Sequence, residues 1–129
     1  MNTGLWKSLA SPFDDALARL PDALAAEGFG VITRIDMRET MRQKLGVEFR
    51  RYQILGACNP KLALAALQAD ARVGAMLPCN VVLYEDDAGR AVLGAVDPMQ
   101  SIGADGAPAL REVAAEVRAR LARVVDAVA

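Results

Sequence analysis

The sequence predicts an α+β fold: a mainly antiparallel sheet of about five strands with helices packed on one face, ordered β-α-β-α-β-α-β-β-α. Three observations carry this. Apolar residues recur at helical spacing in separate stretches between strand-like segments. The turn Glu85-Asp86-Asp87-Ala88-Gly89 joins two strands directly, which only antiparallel neighbours permit. The strands are partly amphipathic, which suits one covered face better than a doubly wound parallel sheet.

Residues 4–9 predict a short first strand. Ser11-Pro12 reads as a helix start, with Ser11 as cap and Pro12 at the first helical position. Phe13, Leu17, Leu20 and Leu24 then form one stripe, and Pro21 predicts a kink or break. Gly28 is a left-handed terminator. Phe29–Ile35 alternates as a strand, with Phe29, Val31, Thr33 and Ile35 on one face. Asp36 to Glu39 has the spacing of a capping box, followed by a helix bearing Met37, Met41 and Leu45 and ended by Gly46. Phe49–Ala57 predicts the next strand. Asn59 as cap and Pro60 as first residue open a helix to about Ala69. Asp70–Pro78 reads as a loop, Cys79–Tyr84 and Arg90–Val96 as the hairpin strands. Asp97-Pro98-Met99 predicts a turn of helix, and Ser101–Pro108 a surface loop. The last helix, Pro108–Val128, carries the stripe Leu110, Val113, Val117, Leu121, Val124 and Val128.

Composition narrows the chemistry. The chain has 129 residues, 53% hydrophobic and 24% charged, a size at which one core stands without metal or disulfide staples. It contains no His, which removes Ser-His-Asp and Cys-His mechanisms and imidazole metal ligands. A formal charge of -1 argues against non-specific nucleic-acid binding, which needs a basic surface. No signal-peptide pattern and no membrane-length apolar run is found, so the cytoplasm is the expected compartment and no membrane partner is expected.

Four blocks carry a resemblance: Gly28-Phe29-Gly30-Val31 through Asp36, Leu55-Gly56-Ala57-Cys58-Asn59-Pro60, Leu77-Pro78-Cys79-Asn80-Val81-Val82, and Val96-Asp97-Pro98-Met99. In this order they resemble the family known as domain of unknown function 302, over about Phe13 to Val128. The resemblance implies an α+β fold related to the TATA-binding-protein-like architecture, and a homodimer. It implies no DNA binding, since fold does not determine function, and it carries no activity, substrate or catalytic residue.

The two cysteines are the most suggestive residues. Cys58 ends one predicted strand and Cys79 starts another, so antiparallel neighbours would bring both sulfurs to one end of the sheet. Asn59, Asn80 and Asp97 complete this candidate thiol site, and the helix start at Asn59 would lower a nearby thiol pKa. The plainer reading is that both cysteines are small buried hydrophobes, and that Asp97 is a helix cap. A soft-metal site is disfavoured, since two thiolates are half of the usual zinc set; no metal and no cofactor are predicted. Arg34, Arg51 and Met99 are the candidate ligand-binding residues, for an anionic group or an apolar pocket. Three functions remain open at this point. The first is a homodimeric binding module for a small apolar or anionic ligand. The second is a thiol-based redox enzyme or sensor, and the third a structural interaction module.

Overall fold

In the computed structural model, which describes residues 4–104 and 106–129, five strands form one antiparallel sheet. They are β1 (Gly4–Ser8), β2 (Gly30–Asp36), β3 (Tyr52–Cys58), β4 (Cys79–Glu85) and β5 (Ala91–Val96), in the spatial order β1-β5-β4-β3-β2. In the β4–β5 hairpin, Asp86 accepts bonds from the amides of Ala88 and Arg90, both at 2.9 Å. β1 arrives from the far end of the sequence, with Gly4 opposite Val96 and Ser8 opposite Val92.

The helices are α1 (Phe13–Ala26), α2 (Met37–Leu45), α3 (Pro60–Ala69) and α4 (Pro108–Ala127), with 3-10 helices at Ala71–Met76 and Pro98–Gln100. The stripes of α1 and α4 work as their spacing dictates. α1 buries Phe13, Ala16, Leu20 and Leu24; α4 buries Leu110, Val117, Leu121 and Val124. They meet Leu55, Val81, Leu83 and Leu93 on one face of the sheet, all fully buried. Lys7 ties β1 to the end of α4, its Nζ donating to the carbonyls of Val125 (3.4 Å), Asp126 (3.2 Å) and Val128 (2.7 Å). A cation there also meets the negative end of the helix dipole.

The opposite face of the sheet is different. Trp6 pairs with Gly94, Gly94 with Val82, Val82 with Ile54 and Ile54 with Ile35, an apolar row across all five strands. Trp6 and Ile35 at its ends are exposed. Beside this row, Tyr52 and Tyr84 stack with ring centroids 5.3 Å apart. The Trp6 ring lies on Gly94, where an added Cβ would stand 2.1 Å from ring atom Cε3. Gly94→Ala therefore lifts the only tryptophan off the sheet, at a cost of about 1–3 kcal/mol. Its fluorescence emission shifts to the red, and an unshifted spectrum would contradict the packing.

Several expectations change in the structure. α1 runs through Pro21 without a break, because fully buried Leu20 and Leu24 hold both sides of it. Ser11 does not cap α1; Pro12 occupies the cap position, and the Ser11 amide and hydroxyl both donate to the Ala129 carbonyl. In β2, Val31 pairs with Ala57 and Thr33 with Gly56, so Ile32 is an extra, bulged residue. The bulge breaks the simple alternation read from the sequence. β3 starts at Tyr52, later than Phe49; the Arg51 carbonyl still accepts from the Glu85 amide at 3.0 Å, while the side chains of Arg50 and Arg51 pair with Asp87 and Asp14. Residues 71–76 form a 3-10 helix inside the expected loop. The capping box is half made: Asp36 accepts from the Glu39 amide at 3.0 Å, while Glu39 turns to Arg42 and Gln43. Residue 105, in the expected Ser101–Pro108 loop, lies outside the described residues.

Candidate functional site

One end of the sheet gathers the start of β2, the end of β3 and the start of β4. Gly30 stands opposite Cys58, and Ala57 opposite Cys79. Immediately after Cys58, Asn59 accepts a bond from the Leu62 amide at 3.2 Å and starts α3. This cap satisfies one of the free amides of the first turn. Gly28 closes α1 with φ of 84°, and a Cβ there would stand 2.8 Å from Asn59 Nδ2. Both the backbone angle and the close approach require glycine.

Between this sheet end and the helices lies a cavity of about 340 Å³. Phe29 and the bulged Ile32 form one side, and Ala57, Cys58 and Cys79 the floor. Leu62, Ala66 and Leu67 of α3, with Val113 and Val117 of α4, form the helix side. Ala63, Gly74, Leu77, Pro78 and Ile102 complete the wall, and Asn59 is its one polar side chain apart from the thiols among the described residues. The size falls within the range of small-molecule sites.

The two thiols are unequal. Cys79 is buried and Cys58 half-buried. Burial first, and the neighbouring Cys58 second, push the Cys79 thiol up from 9.0 to about 11. Cys79 therefore stays protonated and unreactive at neutral pH. In native protein at pH 8, one thiol per chain reacts with a chromogenic disulfide reagent, and two react after denaturation. Two fast native thiols would contradict the burial. Because the folded value is raised, Cys79's contribution to stability is whole below about pH 9 and is lost as the pH rises through about 11.

The other candidate residues are not in the cavity wall. Asn80 is exposed on β4. Asp97 follows β5 at the same sheet end, but accepts from the Met99 amide (2.9 Å) and pairs with Arg118 (3.2 Å). Arg34 is exposed on β2. Arg51 pairs with Asp14 and lies 4.4 Å over the Phe13 ring. Met99 packs, half-buried, against the core and beside Gly103. The structure thus unites Cys58, Cys79 and Asn59 and separates them from the other five. The apolar side of the cavity was not singled out from sequence. The available signal was α3, rich in Leu and Ala yet burying only Ala66.

Among the described residues no helix is long and apolar enough to cross a membrane. They contain no group of three or more His, Cys, Asp or Glu arranged to hold a metal ion. No curated protein matches the chain. A solved structure, described as an uncharacterized conserved DUF302 protein from Bacillus stearothermophilus, matches with a TM-score of 0.89 and 31% identity, covering 98% of each chain. The family model for the domain of unknown function DUF302 matches residues 6–128. The chain belongs to the DUF302 family.

Proposed function

We propose that this protein is a binding module for a small apolar ligand, held between α3, α4 and the Cys58–Cys79 end of the sheet. The observation that carries the reading is the cavity of about 340 Å³ with an almost wholly apolar wall. An engineered apolar cavity of about 150 Å³ already takes up benzene. An anionic ligand is the poorer fit, since no Arg or Lys among the described residues lines the cavity and Arg51 is engaged with Asp14. Two free thiols in one chain fit a reducing compartment such as the cytoplasm.

Titration with an uncharged apolar fluorophore tests this reading. The expected result is saturable binding at one site per chain, competed by small hydrocarbons. Binding that is unsaturable, or unaffected by filling the cavity, would overturn it.

The module is a homodimer in this proposal, joined through the uncovered sheet face. Trp6 and Ile35 are exposed there, and α2 buries none of its residues. A helix of this length gains little stability alone, so a partner surface suits it. Light scattering reports a dimer mass for the native chain and a monomer mass for Trp6→Glu; a monomeric native chain would refute this part.

A further inference from the structure

We infer that Cys58 and Cys79 together form a two-sulfur site for a soft monovalent cation, of the copper(I) or silver(I) class. The inference is independent of the apolar ligand: it concerns only the sulfur-bearing floor of the cavity.

The placement comes first. Cys79 stands opposite Ala57, so Cys58 is one residue further along the adjacent strand. Neighbouring strands lie about 4.8 Å apart. Within a regular pleat, successive residues face opposite sides of the sheet. Cys58, however, is the last residue of β3, and the chain turns into α3 at Asn59. Both cysteines consequently line the same cavity.

The donor set then selects the ion. Among the described side chains that line the cavity, the soft donors are the two sulfurs: the chain has no His, and the Asn59 side-chain oxygen accepts from the Leu62 amide. Zinc takes four protein ligands in a structural site, and calcium takes six or more oxygens, so neither is satisfied here. Thiolates select soft ions, and a monovalent ion with a filled d shell accepts linear coordination by two sulfurs.

Binding is a ligand exchange without change of oxidation state. Two thiols and one cation give a bis-thiolate complex of net charge -1 and release two protons. One positive feature lies on the Asn59 side, the N-terminus of α3; Arg120, near Gly28, is already paired with Glu116 at 2.8 Å. Apolar side chains surround the thiols on the cavity side. Half-buried Cys58 gives the entry, and buried Cys79 the second ligand.

The test is an anaerobic titration of the full chain with copper(I), in competition with a chromophoric copper(I) chelator. One ion per chain is expected, with affinity falling at least 100-fold in Cys58→Ser and equally in Cys79→Ser. Zinc(II) is expected not to bind over the same range. Retained affinity in Cys79→Ser, or an ion bridging two chains through Cys58 alone, would overturn the inference. A second measurement needs no substitution: X-ray absorption of the copper-loaded native chain is expected to show two sulfur ligands on the ion. A single sulfur on the ion, with oxygen or nitrogen completing its ligands, would also overturn it. Failure here leaves the fluorophore titration unaffected, and absence of fluorophore binding leaves the copper result standing.

Discussion

Replacing Ala63 by Phe weakens binding of an apolar probe at least tenfold while leaving the fold intact. Ala63 lies on α3, half-buried, in the wall of the cavity. A benzene ring fills an engineered cavity of about 150 Å³, close to half of the 340 Å³ present here. The new ring therefore occupies the space the ligand would use, and affinity falls at least tenfold. The helix itself loses only about 0.5 kcal/mol from exchanging Ala for an aromatic residue. Calorimetric titration beside a thermal melt separates the two effects. Unchanged affinity would mean that the probe sits elsewhere, for instance in the shallow hollow by Trp6 and Tyr84 on the other face.

Leu83→Ala produces the largest loss of stability. Leu83 is fully buried on β4, the middle strand of the sheet, with Leu93 opposite it on β5 and Gln53 on β3. Truncation removes transfer energy and leaves a cavity that a sheet centre closes poorly, costing about 3 kcal/mol. Against a total of about 5–15 kcal/mol, that is a large fraction. In urea, with a slope of about 1–3 kcal/mol per molar, the midpoint falls by about 1 M or more. A shift under a few tenths of a molar would mean that the helices collapse onto the site.

Much of this architecture was readable from residue order, for identifiable reasons. Asn59-Pro60, Asp97-Pro98 and Gly28 act through their own backbone geometry, so their roles transfer directly from sequence to structure. The stripe of α4 repeats over five turns and leaves little ambiguity. Pro21 misleads because its local cost is outweighed by the packing of Leu20 and Leu24, which sequence does not display. Ile32 misleads because one inserted residue inverts the parity of everything beyond it.

The candidate site divides in the same way. Cys58 and Cys79 meet at one cavity because β3 and β4 are antiparallel neighbours, the condition on which the sequence reading rests. Arg34 and Arg51 are candidates from sequence for holding an anionic group because arginine forks fit such groups. Arg51 instead finds Asp14, and Arg34 faces solvent. The helix side of the cavity joins Leu62 to Val113 and Val117, residues some fifty positions apart in the sequence. Such a wall exists only after α3 and α4 have packed.

The pairing of β1 with β5 has a consequence for how the chain assembles. β2, β3, β4 and β5 each join a neighbour in sequence, whereas β1 must wait for a partner at residues 91–96. Closing so long a loop is entropically costly until the partner is in place. β1 is therefore the last strand to dock, at an edge, and the Lys7 contacts make the end of α4 its companion. In native-state hydrogen exchange its amides open at a lower free energy than those of β4, and the last turn of α4 opens with them.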